Sequence, residues 1–265
     1  MEIGVSTATF FGKAYTEDAL KIISGLKTGV AEVFLATFSE FEPEFADVLL
    51  KIKREGLRVH SVHSCNTIYE PQLFNRSPRT KADAFVYFKK VIDIAARLGA
   101  KANTFHGATR NKYLGAFNYD YSVLGEVMEE ISSYSLEKGV EVTFENVYWA
   151  MFAEPDFFRK IKPYAPRLGA CLDVKQAVRS GYSVYDYIKA MGSSVKTVHL
   201  LDMTSEGGTC IPGRGSFDFY GLFSALYDVN PDVPVMLEQY PEDFCRTSEI
   251  DDAIDYLNGI IARIH

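Results

Sequence analysis

The feature that most limits the fold of this sequence is a regular alternation of short apolar runs, rich in β-branched residues, with longer amphipathic runs. The amphipathic runs have helical length, roughly one to two dozen residues. The short runs are predicted strands: Ile3–Ser6, Ala31–Leu35, Leu57–His63, Ala102–His106, Glu141–Glu145, Gly169–Asp173, Thr197–Leu201 and Val235–Glu238. Strict alternation predicts a parallel sheet, and eight such units predict its closure into a single (β/α)8 TIM barrel.

Length and composition agree with one barrel. The chain has 265 residues, close to the usual size of such a domain, and 47% hydrophobic residues are enough for one large core. No linker, low-complexity tract or repeat interrupts the series. We therefore expect residues 1–265 to form one domain.

Charge and cysteine content exclude several classes of partner. The formal net charge is −7 and no run of Lys or Arg exceeds two residues, so we expect no nucleic-acid partner. No apolar run approaches the length of a membrane span, and the N-terminus has no secretory pattern, so we expect no membrane partner. The four cysteines show no CxxC spacing, which favours free thiols and a cytoplasmic protein.

The connections between the predicted elements are asymmetric. Loops leading into strands are short, whereas those after strands three, four, five and seven are long, at 64–79, 107–119, 146–154 and 202–217. In a barrel of this type, the loops after the strands build the active site at the carboxyl-terminal rim. We therefore expect the site there.

Four residues with metal-binding side chains fall at this rim. Glu145, Asp173, His199 and Glu238 lie at or near the ends of strands five to eight. Any one strand-end acid has a simpler explanation, such as capping the next helix or pairing with a Lys. Together, the three carboxylates would repel one another without a cation, and the four residues suit one divalent metal ion.

Other candidate residues share the rim. His63 and His106 end strands three and four. Three roles are open to them, as ligands of a second metal, substrate contacts or structural imidazoles, and we favour a contact with the substrate or with the metal ligands. Trp149 follows Glu145, where its ring would pack on a sugar or anchor the loop. Aromatic residues such as Phe11 and Phe117 would close the mouth or form a contact between subunits of a homo-oligomer.

Five motifs carry a family resemblance over essentially the whole chain. FEN, LDVKQ, VHLLD, PGRGSFDF and MLEQ, in this order, resemble the xylose isomerase-like superfamily and its sugar phosphate isomerase/epimerase branch. The resemblance implies that Glu145, Asp173, His199 and Glu238 hold one Mn, Mg, Co or Zn ion. It also implies that Glu145 and Glu238 are the acid/base pair of ketose epimerisation, and that Arg214 contacts the substrate.

One motif departs from the branch. The common Asp-x-x-His after strand six is Asp173, Val174, Lys175 and Gln176 here. Gln176 can still bind a sugar hydroxyl or carbonyl, but an amide cannot act as a general base. Lys175 has two possible roles, as a solvated side chain or as a contact to a substrate or its phosphate.

We expect a divalent-metal-dependent isomerase or epimerase of a small ketose or sugar phosphate, acting through a metal-stabilised enediolate. The alternatives are a metal-dependent dehydratase of an inosose- or dehydroshikimate-like polyol ketone, a silent sugar-binding barrel, and a nuclease like the AP endonucleases. The nuclease branch needs a third metal held by a His where Gln176 stands and by an Asp-x-His motif near residues 207–209, where no ligand occurs.

Overall fold

The computed structural model of the protein describes residues 1–110 and 119–264. Within these residues lie eight parallel strands, β1 (Glu2–Ser6), β2 (Val30–Leu35), β3 (Arg58–Ser64), β4 (Ala102–Phe105), β5 (Glu141–Glu145), β6 (Gly169–Asp173), β7 (Val195–Leu200) and β8 (Pro234–Leu237). They close into a barrel in the spatial order β1, β8, β7, β6, β5, β4, β3, β2. The predicted TIM barrel is confirmed, and the strand bounds differ from the prediction by two residues at most.

Helices connect the strands and cover the outside of the barrel. They are α1 (Thr16–Ile23), α2 (Phe45–Ile52), α3 (Glu70–Leu73), α4 (Pro78–Arg97), α5 (Tyr121–Glu137), α6 (Pro155–Ile161), α7 (Val174–Arg179), α8 (Val184–Met191), α9 (Phe219–Val229) and α10 (Ser248–Ile261). Among the residues described, no helix is both long and apolar enough to cross a membrane.

The main core lies between the strands and the helices. Alternate strand residues point outward and pack against the helices. Phe144 of β5 is an example, since its ring packs edge-on against Phe157 of α6 and against Phe152 of the loop that precedes α6. The alternate positions point into the barrel, so polar residues with this parity, such as Glu145, are directed inward.

Glycine keeps the connections at the amino-terminal end short. Gly99 and Gly139 follow α4 and α5 with φ of 73° and 78°, a left-handed conformation that side chains disfavour. The next residues donate backbone N–H groups back to the helices, from Ala100 to Ala95 and from Val140 to Ser135. These Schellman-type ends lead directly into β4 and β5.

The carboxyl-terminal ends carry additional structure in place of plain loops. The short helix α3 follows β3, helix α7 begins immediately after β6, and a two-stranded hairpin of Asp202–Met203 and Thr209–Cys210 follows β7. Residues 111–118 of the connection after β4, including Phe117, lie outside the described residues. These additions build one rim of the barrel into a site.

Candidate metal and active site

The four predicted metal ligands come together at the rim. Glu145 and Asp173 end β5 and β6, His199 lies on β7, and Glu238 directly follows β8. Asp173 stands opposite His199 in the pairing of β6 with β7. One ligand atom from each of the four residues lies within 4.8 Å of those of the other three. All of these side chains are buried except that of Glu238, which is 17% exposed.

Distances within the cluster suit a cation. His199 Nδ1 lies 3.0 Å from Oε1 of Glu145 and 3.0 Å from Oε2 of Glu238. A single N–H cannot serve both carboxylates equally well, whereas one ion can be shared by all three groups. Asp173 uses Oδ1 to accept the backbone N–H of Gln176 at 2.6 Å, which leaves Oδ2 available.

The electrostatics of the cluster also favour a bound cation. Burial opposes ionisation of Glu145, but His106 and His199 outweigh it and hold the pKa of this carboxyl well below its usual range. Burial raises the pKa of Asp173 to about 7, against the opposing effect of Lys175. Among the residues that the structure describes, buried oxygen Oε2 of Glu145 also has no well-aligned hydrogen bond. A divalent cation would relieve the crowding of carboxylates, so these residues fit such an ion.

A fifth acid, which sequence reasoning missed, lies beneath the cluster. Glu32 of β2 is fully buried and accepts hydrogen bonds from the hydroxyls of Ser6, Ser61 and Thr104. Its Oε2 lies 3.1 Å from Nε2 of His199. Burial opposes ionisation of Glu32, but His199 outweighs it and holds the pKa well below the usual range. A single acid within the apolar run VAEVFL was the signal in the sequence.

His63 and His106 adjoin the cluster. Their Nε2 atoms lie 3.0 Å apart, and Nε2 of His106 lies 2.7 Å from Oε2 of Glu145. His63 Nδ1 is 3.6 Å from Oε1 of Glu32. The ligand atoms of His63, His106 and Glu145 form a second group close enough to hold an ion. The structure thus brings both imidazoles to the site, and their contact with substrate stays a prediction.

Glu70 of α3 is a second buried acid that sequence reasoning missed. Its Oε2 accepts the backbone N–H groups of His106 and Gly107, both at 2.8 Å. Burial raises the pKa of Glu70 to about 7. This carboxyl ties the segment after β3 to the end of β4 and thereby positions His106. A lone acid before proline, in the sequence YEPQL, gave no signal of this role.

Trp149 lies at the mouth of the site. Its ring centroid is 5.8 Å from that of His106, and the side chain is partly exposed. Phe152, further along the same loop, is fully buried against Phe144, Phe157 and other rings. Phe152 therefore anchors the loop, and Trp149 is left available for the predicted contact with a sugar.

The loop after β7 pairs Arg214 with an acid that does not belong to the cluster. Among the described residues, its guanidinium pairs at 2.6 Å with Glu249 of α10 rather than with any member of the cluster. The glycines on either side of Arg214 have a structural role, because the N–H groups of Gly213 and Gly215 both donate to buried Asp202. A Cβ on Gly215 would lie 2.3 Å from the Asp202 carboxylate. The substrate contact of Arg214 stays a prediction.

A cavity of about 340 Å³ opens beside the cluster. Its lining includes Glu238, Lys175, Phe11, Phe34 and Tyr240. This volume is near the lower end for small-molecule sites and suits a substrate of monosaccharide size. Gln176 follows Lys175, and its side-chain oxygen is buried without a hydrogen-bond partner among the described residues. Gln176 thus lies near the cluster with free bonding capacity.

Comparisons with known proteins agree on the fold. Residues 28–260 match a family model described as the xylose isomerase-like TIM barrel. Among solved structures, the chain is similar to a D-tagatose 3-epimerase-like protein, with a TM-score of 0.79 and 16% identity over 99% of this chain and 98% of the other. The IolI protein with a bound zinc atom gives a TM-score of 0.80 and 15% identity over 100% and 99% of the two chains.

A third solved structure is D-psicose 3-epimerase with D-tagatose from Clostridium cellulolyticum H10. It gives a TM-score of 0.77 and 14% identity, over 98% of this chain and 99% of the other. No curated protein matches the sequence.

Proposed function

The chain belongs to the xylose isomerase-like TIM barrel family, and on this basis we propose that it is a divalent-metal-dependent isomerase or epimerase of a small ketose or sugar phosphate. The observation that carries the proposal is the convergence of Glu145 and Glu238 on Nδ1 of His199, each at 3.0 Å. The solved structures described as 3-epimerases, one with D-tagatose, support the substrate class.

The ion would be held by Glu145, Asp173, His199 and Glu238. When bound, a divalent ion polarises a carbonyl and its neighbouring hydroxyl and stabilises the negative charge of an enediolate. Three carboxylates and one imidazole suit Mn, Mg, Co or Zn, and the zinc of the IolI structure supports an ion of this class.

Glu145 and Glu238 would move the proton. They come from different strands and approach the same point, so they flank a substrate bound between them. Burial opposes ionisation of Glu238, but His199 outweighs it and lowers the pKa, as it does for Glu145. Both carboxylates are therefore ionised near neutral pH. One takes the proton from the reacting carbon, and the other returns a proton on the opposite face.

Trp149, His63 and His106 would orient the sugar. The ring of Trp149 lies next to His106, where an aromatic face can cover the apolar face of a sugar. The imidazoles can donate or accept hydrogen bonds from hydroxyls. Gln176 would contribute its unpaired oxygen to the same purpose.

A screen of ketoses and ketose phosphates in deuterated water tests the proposal. Each substrate is incubated with protein loaded with Mn, Mg, Co or Zn, and products are identified by mass and chromatography. We expect an isomer carrying one deuterium at the reacting carbon, and we expect a chelator to abolish the reaction. Loss of water with a new ultraviolet-absorbing enone would instead establish a dehydratase. Absence of exchange and of product with every substrate and metal would reject both the isomerase or epimerase and the dehydratase.

A further inference from the structure

A buried lysine adjoins the candidate metal site. Lys175 lies on α7, two residues after Asp173, and is 8% exposed. Its ammonium nitrogen is 3.8 Å from Oδ2 of Asp173 and 4.9 Å from the centre of the Tyr240 ring. The same residue lines the cavity that contains Glu238. Lysine is rarely buried unless it is paired, so this position requires an explanation.

Pairing with Asp173 does not satisfy the ammonium group. The 3.8 Å separation exceeds the length of a hydrogen bond, and the other oxygen of Asp173 caps α7. An ammonium group has three donors, and none of them has a hydrogen-bond acceptor among the described residues. Because Lys175 lines the cavity, an acceptor on a bound molecule can replace water as its hydrogen-bond partner.

The charges of the site indicate the nature of that acceptor. Three carboxylate ligands and one divalent cation carry a net charge of −1, which Lys175 balances, while buried Glu32 adds a further negative charge beneath the cluster. A neutral ketose adds no charge to the site until it loses a proton. When a carboxylate removes its proton, the negative charge passes to oxygen atoms of the substrate, where a nearby cation stabilises it.

We propose that Lys175 binds the substrate and donates a hydrogen bond to the oxygen on which negative charge develops. This inference rests on the proposed function. Lys175 directly precedes Gln176, which stands where the related branch commonly has a histidine. The C–H proton passes to one glutamate, and the electron pair of that bond forms the C=C bond of the enediolate. The former carbonyl electrons move to oxygen, and Lys175 keeps its proton throughout.

Lys175→Met tests the proposal, since Met keeps much of the length of the apolar stem and removes the charge. Turnover should fall about 10²- to 10³-fold, the usual loss for one donor to a developing oxyanion. Metal content should be unchanged or higher, because a neighbouring positive charge is removed. Lys175→Arg should recover part of the activity.

A binding measurement separates this role from simple charge balance. The probe is the hydroxamate of a short polyhydroxy acid, a planar anionic mimic of the enediolate, compared with a neutral alditol of the same length. Calorimetry on the metal-loaded protein should show at least a tenfold weaker hydroxamate affinity in Lys175→Met, with little change for the alditol. Because this measurement needs no turnover, it decides the role of Lys175 even where the parent protein converts none of the ketoses.

Arg179 provides a matched control. It lies on the same helix, is exposed, and its guanidinium carbon is 5.9 Å from the centre of the same Tyr240 ring. Arg179→Met should leave both affinities and turnover near parental values. Equal loss of hydroxamate and alditol affinity in Lys175→Met, parental turnover, or loss of the metal would each overturn the proposal.

Discussion

Nε2 of His199 lies 3.1 Å from the carboxylate of Glu32, which is fully buried beneath the candidate metal site. With a proton on Nε2 donated to Glu32, Nδ1 presents its lone pair to the point shared by Glu145 and Glu238. Glu32 therefore selects the tautomer of His199 that a metal requires, and the hydroxyls of Ser6, Ser61 and Thr104 hold Glu32 in place.

Glu32→Gln should weaken metal binding by about 10- to 100-fold, the usual cost of losing the carboxylate partner of a ligating histidine. The amide is nearly the same size but can donate to Nε2 and thereby favour the wrong tautomer. Competition with a chelator measures the affinity, and thermal melting checks the fold. An affinity equal to that of the parent would show that Glu32 only fills the core.

Asp173→Asn and His199→Ala should each largely abolish binding of the ion, since each removes one of four ligands. Asn keeps an oxygen in place to cap α7, so the effect of Asp173→Asn can be assigned to the ligand and not to the helix. Elemental analysis of the parent should give about one divalent ion per chain if the four-residue cluster alone is occupied. Full occupancy in both variants would contradict the assignment.

Glu145→Gln and Glu238→Gln should each reduce turnover by about 10²- to 10⁴-fold, because the amide cannot transfer a proton. If the two glutamates serve opposite faces of the substrate, one variant should still exchange the C–H hydrogen with deuterated water while failing to invert the carbon. Mass spectrometry and product chromatography distinguish exchange from inversion, with metal content measured in parallel. Near-parental turnover in both metal-loaded variants would make the carboxylates ligands only.

Glu70 should make stability depend on pH. Burial raises its pKa from 4.5 to about 7, so the folded protein keeps a proton that the unfolded chain releases. The stabilisation is present below about pH 4.5 and is lost as the pH rises through about 7, by at most about 3 kcal/mol. Relative to the parent, Glu70→Gln should therefore gain stability between about pH 5 and pH 8.

Urea unfolding at about pH 5 and about pH 8, with a chelator present, measures the stability of Glu70→Gln relative to the parent. Glu40→Gln is the control, since Glu40 also accepts two backbone N–H groups, from Ala36 and Thr37, in another loop of the rim. The same change with pH in Glu70→Gln and in the parent would exclude Glu70 as the origin.

The protein should neither bind abasic-site DNA nor cleave it. Gln176 replaces one ligand of a third metal, and residues 207–209 offer no other. The net charge of −7 also disfavours a polyanion. Binding is measured over a series of salt concentrations and cleavage on gels with added Zn or Mn. Metal-dependent incision that disappears in Glu145→Gln would support the nuclease alternative.

The sequence by itself determined the barrel and the four residues at its rim. Strand and helix periodicities are local properties, and the parity of a strand assigns Glu145 to the inner face before any contact is known. Because all parallel strands end at one rim, residues from β5 to β8 are brought together by topology alone. The helix ends at Gly99 and Gly139 are also local properties, because the end of a helix depends on the few residues around it.

Only the tertiary structure decided the direction of the longer side chains and the partners of buried acids. Glu32 and His199 are 167 positions apart, and nothing local to VAEVFL indicates that its acid meets an imidazole. The motif around Arg214 suggested a substrate contact, whereas its ion pair with Glu249 of α10 depends on how the chain packs. Lys175 likewise becomes a buried cation in a cavity only when α7 and Tyr240 enclose it. Flexible side chains have many rotamers, and the surrounding fold selects one of them.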